Sequence, residues 1–407
     1  MKRNPKGGRT GVRKRGGSES GHAADPERVP VDTESRNESS GPEPAAVASD
    51  LEPWFARNAR DLPWRRRRTG YRVLVSESML QQTQVSRVAD RFPRFVGRFP
   101  TIQDLASSPI DDVLQEWEGL GYYRRARLLH AAAGAIVERH GGRVPSDAAK
   151  LRALPGVGPY TAGAVASLAF GRREAIVDGN VGRVLIRLAG KEASIDDPKT
   201  LRWCWSRSRE LVEAAADPAV LNEGLMELGA TICTPRSPSC GSCPVAGHCK
   251  ARRLAIQDRI PVAKRRPSRR QVVHHVLVLP PKRRGTRMLA TVQRRAPNGL
   301  WASMWEFPTV ETDRPLQART FSRRLGLAAG DLRRMESFSH ATTHREVRFV
   351  VFEAISQRSP TFEREVSLIE VERLGELAMS VPQRRIADAW AARWATDVQP
   401  SSRWPED

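Results

Sequence analysis

LPGVGPYTAGAVASLAFGRREAIVDGNVGRV, running from Leu154 to Val184, decides how the first half of this chain is read. Gly156 and Gly158 flank Val157 in a tight turn, where glycine reaches backbone angles closed to other residues and lets a second backbone come close. The Ala-rich run from Thr161 to Ala169 follows at once and reads as a helix. The turn therefore offers free N–H groups at a helix N-terminus, a ready site for an anion. About twenty residues further on, Asp178-Gly179-Asn180 precedes a second apolar-periodic run of Val181, Val184, Leu185 and Leu188. An acid in that place is most simply an N-cap. A phosphate-gripping turn with a carboxylate nearby also suits chemistry on DNA.

Working outward, residues 50–255 read as helix after helix. Asp50 is expected to cap a helix carrying Leu51, Trp54 and Phe55. Val73 to Met79 reads as a short helix. Gln84 to Val96 follows, with Val85, Val88, Phe92 and Phe95 on one face, and Pro93 is expected to end or kink it. Ser108-Pro109 reads as a cap and first-turn proline ahead of Ile110, Val113, Leu114 and Trp117. Tyr122 to His140, a helix begun by Ser146, Lys199 to Ala215 and Asn222 to Thr231 complete an all-α half. Residues 1–49 contain no aromatic side chain. They crowd Lys2, Arg3, Lys6, Arg9, Arg13, Lys14 and Arg15 at one end, so a disordered basic arm is expected. Residues 256–270 read as a basic, Pro-interrupted linker. Beyond it, Gln271 to Leu279, Arg287 to Gln293 and Val347 to Ala354 read as strands, and Leu316 to Leu325 and Pro382 to Ala395 as helices. This predicts an α+β domain over 271–398 and a polar tail over 399–407.

The formal net charge of +21 favours a polyanionic partner. No apolar run reaches the roughly 18 residues of a membrane span, and no apolar h-region marks a signal peptide. Five cysteines in 407 residues are too few for a disulfide scaffold and suggest a reducing compartment. That means the cytoplasm or nucleoid in a bacterium, with a nucleus or organelle left open otherwise. Cys233, Cys240, Cys243 and Cys249 are spaced C-x6-C-x2-C-x5-C, and four thiolates suit either tetrahedral zinc or an iron–sulfur cluster. Cys204 stands apart and reads as a buried apolar side chain.

In SESMLQQT, Ser76 to Thr83, a carboxylate sits on a short apolar helix beside two consecutive amides. A buried carboxylate titrates high, as a general acid requires, and amides suit base edges or a vacated stack. SESMLQQTQV, GLGYYRRAR, LPGVGPYTAGA, DGNVGRV and the cysteine spacing occur in the order seen in adenine DNA glycosylases of the MutY type. The resemblance covers residues 50–255. It implies an all-α helix-hairpin-helix glycosylase fold with two helical subdomains, a hairpin over about 147–170 and a [4Fe–4S] loop over 233–249. Glu77 would then protonate the adenine ring, Asp178 would stabilise the cationic sugar and Asn180 would orient that region. Tyr160 stands where bifunctional relatives carry a lysine nucleophile, which implies base removal without strand cleavage. Gln82 and Tyr122 would enter the duplex, Gly156 and Gly158 would hold phosphate, and Leu62, Trp64, Arg65 and Glu223 would line an adenine pocket. Two positions depart from the pattern: Pro159, where a basic residue is usual, and Ser78, where an aliphatic one is.

Residues 271–398 resemble the Nudix-like domain joined to these glycosylases, on the strength of Gly299 to Pro308 (GLWASMWEFP) and Phe338-Ser339-His340. In place of a glutamate-rich metal helix the chain offers Arg319, Arg323 and Arg324, so no diphosphate hydrolysis is expected. Phe338, Ser339 and His340 are expected as a loop recognising 8-oxoguanine, while His274, His275 and His344 are expected to be structural or surface groups. The implied protein is a monomer acting on double-stranded DNA that holds A:8-oxoguanine or A:G mispairs. An endonuclease III-like lyase for oxidised pyrimidines, a mismatch thymine glycosylase and a catalytically silent DNA-binding iron–sulfur protein are the alternatives.

Overall fold

The computed structural model of the chain describes residues 41–263, 268–356 and 358–395. Of the expected arm over residues 1–49, residues 1–40 lie outside the described residues, as does the tail over 399–407, while residues 44–49 belong to the first helix and not to the arm. Helix α1 runs Pro44–Asn58. It starts six residues ahead of the expected Asp50 because Glu43 accepts from Ala46 N–H, and Pro44, lacking an N–H, suits the first turn. Then follow α2 (Gly70–Leu80), α3 (Val85–Arg98), α4 (Ile102–Ser107), α5 (Ile110–Glu116), α6 (Arg124–His140), α7 (Ala148–Arg152), α8 (Pro159–Phe170), α9 (Gly179–Ala189), α10 (Pro198–Ala214), α11 (Pro218–Thr231) and the short α12 (Lys250–Arg253).

Three caps differ from the expected ones. Pro93 lies inside α3, which runs on to Arg98. Pro109, not Ser108, is the residue ahead of α5, and Asp147, not Ser146, caps α7 through Lys150 N–H. Pro159 takes the first turn of α8, where a missing N–H costs nothing.

The helices bury two cores. The first gathers α2 to α8 around Phe92, Phe95, Phe99 and Trp117, all fully buried. Truncating Trp117 to Ala there would cost about 3–5 kcal/mol. The second gathers α1 and α9 to α12 around Leu51, Val184, Leu211, Leu221 and Leu225, with Cys204 buried among them. Ile256 and Ile260 also pack in this second core. The expected linker is therefore helical-domain chain up to that point, its apolar residues anchored between the charged ones.

The second domain carries β1 (Arg270–Val278), β2 (Lys282–Arg284), β3 (Arg287–Arg294), β4 (Trp305–Glu306), β5 (Thr309–Thr312), α13 (Ala318–Arg324), β6 (Leu332–Ala341), β7 (Arg345–Ala354), β8 (Val366–Glu370) and α14 (Val381–Ala395). One sheet is ordered β5-β1-β7-β6, with β1 and β7 parallel. The other joins β2, β3 and β4, with β8 paired to β3. His274 and His275 are buried against rings of Phe349, Phe321 and Phe352. Met304 and Ala378 of this domain complete the first helical core. The Arg127 guanidinium donates to Ala302 O at 2.8 Å, and Arg384 pairs with Glu118 at 3.1 Å. Among the described residues no helix is long and apolar enough to cross a membrane.

Candidate active site and cluster loop

The site begins on α2. Thr69 caps this helix by accepting from Arg72 N–H, and apart from Arg72 and Leu80 every residue from Gly70 to Leu80 is buried. A helix buried on nearly all sides leaves a carboxylate little contact with water. Glu77 is 4% exposed, and burial pushes its carboxyl up to about 7. Asp178 and Glu223 add to the rise, while a hydrogen bond from Tyr160 and the charge of Arg65 oppose it. Tyr160 on α8 donates from its hydroxyl to Glu77 Oε2 at 2.7 Å. Its own phenol is held well above the ordinary value by burial and by the Glu77 charge, so it stays a neutral donor.

Asp178 caps α9, as its position ahead of an apolar run predicts. Its Oδ1 accepts from Val181 N–H at 2.7 Å and its Oδ2 from Asn180 Nδ2 at 3.0 Å. Burial raises the Asp178 carboxyl, and these bonds pull against the rise. Asn180 Oδ1 accepts in turn from Arg183 Nη2 at 2.8 Å, and Arg183 also donates to Gly229 O and Cys233 O, each at 2.7 Å. The close approach of α11 to this strap needs Gly229, since a Cβ there would lie 2.7 Å from Asn180 Cβ.

Glu77, Tyr160, Asp178 and Asn180 line one cavity of about 450 Å³, together with Leu62, Trp64, Arg65, Glu223 and Gln82. It sits where the two helical cores meet. Trp64 serves both the cavity and the first core, where its ring meets Phe92 edge-on at 5.9 Å. The cavity wall holds an ionic network larger than the expected pair. Arg65 bonds Glu223 at 3.0 Å and Glu227 at 2.9 Å, Arg60 bonds Glu227 at 2.6 Å, and Arg68 lies 2.5 Å from Glu223. Burial pushes the Glu223 carboxyl up. Burial also raises Glu227, but the bonds from Arg60 and Arg65 overcome it and hold that group below its ordinary value. Arg60, Arg68 and Glu227 were missed in the sequence. The available signal was Glu223 and Glu227 four residues apart on one face of α11, beside a basic run.

Gln82 and Tyr122 adopt left-handed backbone angles, φ 56° and 48°. Non-glycine residues rarely hold these angles, so the backbone is strained at both positions. In the hairpin, Gly156 has φ 73° and packs where a Cβ would meet Leu128 at 2.5 Å; Gly158 caps α8.

Gln82 also lines a second, interdomain cleft of about 730 Å³ with Tyr122, Arg87, Trp301, His340 and Arg345. The hydroxyls of Tyr122 and Thr343 touch across it. Phe338-Ser339-His340 is not the expected loop. These residues are the end of β6, in register with Phe349, Arg348 and Val347, and the turn follows them. Strand alternation therefore separates Ser339 from its neighbours. His340 lines the cleft near Trp301, Phe338 stacks on Phe349 at 5.1 Å, and Ser339 is exposed and outside the cleft wall.

The four cysteines form no disulfide and line one small cavity with Arg187, Arg252 and Gln257. Among the described residues, no three His, Cys, Asp or Glu groups converge as a single metal ion would require. Four cysteines around one cavity are the donor set that an iron–sulfur cluster takes. Arg187 Nη1 donates to Cys233 Sγ at 3.3 Å and so brings a positive charge to one of the four sulfurs. Burial pushes the Cys243 thiol up to about 11, with the neighbouring cysteines adding to the rise.

Residues 75–210 match the HhH-GPD superfamily of base excision DNA repair proteins, residues 233–249 the iron–sulfur binding domain of endonuclease III, and residues 284–389 the NUDIX domain. A buried acid facing a helix-capping aspartate beside a helix-hairpin-helix thus belongs to a base excision DNA glycosylase, and its cofactor is a [4Fe–4S] cluster. A human adenine DNA glycosylase is 35% identical over 368 residues, covering 76% of this chain and 67% of that protein. One from Mycobacterium tuberculosis is 42% identical over 211 residues, covering 50% of this chain and 69% of that protein. A solved thermostable thymine-DNA glycosylase is 28% identical with a TM-score of 0.47, covering 52% of this chain and 97% of that one. The chain belongs to the adenine DNA glycosylase family, and its activity is the removal of adenine from DNA in base excision repair.

Proposed function

We propose that the chain removes adenine mispaired with 8-oxoguanine or guanine, hydrolysing the N-glycosidic bond without cleaving the strand. Glu77 is the general acid. With its carboxyl pushed up to about 7 by burial, it keeps a proton to give to the adenine ring and so turns a poor leaving group into a good one. Asp178 stabilises the positive sugar left behind, in a water-poor site where a fixed charge acts strongly. Asn180 and Arg183 orient Asp178, and Leu62, Trp64, Arg65 and Glu223 hold the flipped base. Tyr160 occupies the place of an amine nucleophile, and a neutral phenol forms no Schiff base.

Gln82 and Tyr122 enter the duplex as the adenine leaves it, consistent with base flipping. Gly156 and Gly158 carry the phosphate grip. The opposite base occupies the interdomain cleft, where His340 and the turn after β6 read it; Phe338 supports that strand, and Ser339 lies outside the cleft wall. Cys233, Cys240, Cys243 and Cys249 ligate the cluster, which when bound ties the loop to the second helical core.

The observation carrying the mispair reading is that Gln82 lines both the catalytic cavity and the interdomain cleft, so one residue separates the sites for the two bases of a single pair. Single-turnover base release from A:8-oxoguanine, A:G, T:G and thymine-glycol duplexes tests it, with and without alkali. Strand breaks that appear only after alkali on the two adenine substrates are expected, and Glu77→Gln and Asp178→Asn should lose them. Breaks without alkali on the oxidised pyrimidine would replace this reading with a lyase.

A further inference from the structure

Gln82 and Tyr122 sit in two separate turns, one after α2 and one before α6, and both are held at left-handed angles that L side chains disfavour. Something must over-determine both turns for the strain to persist. The group touching both is the Arg125 guanidinium, a buried charge on the first turn of α6 that forms no ion pair shown in the structure. Its Nη1 donates to Ser78 O at 2.8 Å and Met79 O at 2.7 Å, the last carbonyls of the helix leading to Gln82. Its Nη2 donates to Thr83 Oγ1 at 2.9 Å, directly after Gln82, and to Leu120 O at 3.1 Å and Gly121 O at 3.0 Å, directly before Tyr122. The backbone N–H of Arg125 donates to Tyr122 O at 2.8 Å. The cation also lies over the rings of Tyr122, at 5.6 Å, and Trp117, at 5.4 Å. Thr83 Oγ1 donates to Leu120 O at 3.2 Å and so joins the two turns directly.

We propose that Arg125 is a positioning residue for base extrusion: its fork clamps both turns and registers Gln82 and Tyr122 to each other and to the helix that carries Glu77. The proposal rests on the reading of Gln82 and Tyr122 as the residues that enter the duplex. The planar guanidinium sets the four N–H groups of its two terminal nitrogens against five acceptors, Nη2 sharing its pair among three, while Nε makes no bond. A lysine keeps the charge but not the fork. Arg125 does not touch the catalytic cavity, so its loss should matter only where the base must be driven from the stack.

The test compares Arg125→Lys with the unaltered full-length, cluster-loaded protein in single-turnover adenine release from two substrates. One is an intact A:G duplex. The other is the same strand paired to a complement lacking the nucleotides opposite and beside the adenine, so that little unstacking remains to be done. Emission of 2-aminopurine placed at the target position reports extrusion directly, a signal that a purely structural role would not move. Release from the duplex is expected to slow about tenfold or more, against less than about threefold on the gapped substrate, with weaker aminopurine emission. Gln82→Ala and Tyr122→Ala serve as references.

Equal slowing on both substrates would mean that Arg125 acts through Glu77 and would overturn the proposal, as would no slowing on either. If the references separate the substrates and Arg125→Lys does not, the clamp is wrong and the entry reading stands. If the references fail to separate them, the entry reading falls and the clamp with it. Should Arg125→Lys not fold, Thr83→Val removes one acceptor shared by the two turns and is expected to show the same selectivity at roughly threefold. Its absence there would overturn the clamp.

Discussion

Replacing Glu77 by glutamine should make the protein more stable in alkali while abolishing its activity. The carboxyl titrates at about 7 in the folded chain against an ordinary 4.5. Between those values the unfolded chain has released its proton and the folded chain has not. Stability therefore falls as pH rises through the window, and above pH 7 the folded protein holds a buried charge it would be better without. The full gap corresponds to about 3 kcal/mol, of which about 2 kcal/mol falls between pH 5.5 and 8.5. A glutamine keeps the shape and can still accept from the Tyr160 hydroxyl, but carries no charge at any pH. Melting curves of both proteins with the cluster loaded, taken at pH 5.5 and 8.5, make the comparison. Titrations elsewhere in the chain cancel between the two. The variant should gain several degrees on the parent as pH is raised, with no adenine release at either pH. Parallel curves would refute the reasoning, because they would mean that Glu77 titrates in the folded chain as it does in water.

Tyr160→Phe removes the hydrogen bond that favours the Glu77 carboxylate. The alkaline limb of single-turnover release, near pH 7 in the parent, should then move up by about one pH unit. An unmoved limb would separate Tyr160 from the acid. Glu227→Gln takes the shared carboxylate from Arg60, which is partly exposed, and from Arg65, which keeps Glu223, and should cost about 1–3 kcal/mol of stability, read from denaturant midpoints. Iron chelation of the reduced protein should lower the melting temperature and expose residues 233–260 to protease first, since Ile256 and Ile260 are seated in the core beside the cysteines. His340→Ala should slow release from A:8-oxoguanine more than from A:G, as a ratio of rate constants in parallel assays.

The parts legible in the sequence were those whose chemistry is local. Asp178 bonds a backbone three residues away, Gly156 needs its own φ, and four cysteines close within 17 residues. The helical half follows from apolar spacing, which packing then honours. The wall of the cavity was less legible because Arg65 meets Glu223 across 158 residues, and no periodicity encodes that meeting. Two strands of the second domain were missed for a different reason. Lys282–Arg284 and Leu332–Ala341 are rich in exposed charged and polar residues, so partner strands and not their own propensities hold them in place. The same cause turned Phe338-Ser339-His340 from an expected loop into strand.

Ser78 shows how the site tolerates a departure that sequence reasoning could only mark. A hydroxyl on a helix buried nearly all round would ordinarily be a liability. Ser76 and Ser78 each donate back within α2, to Val73 O at 3.0 Å and Leu74 O at 2.7 Å, so neither asks anything of the core. The carbonyl of Ser78 is taken by Arg125. Glu77, between them, is the one polar side chain of that run whose charge the helix does not satisfy. Its neighbours are Tyr160, a neutral donor that tempers its proton affinity without supplying a countercharge, and two other carboxylates across the cavity that raise it. A fold selected for stability alone would have placed an arginine within reach of it, as it did for Glu227. Arg65 sits instead on the far carboxylates, close enough to Glu77 to temper its charge and too far to pair with it. Tyr160 apart, the polar groups around Glu77 are each held by something else, and the proton-holding capacity of this one carboxyl is what that partitioning leaves over.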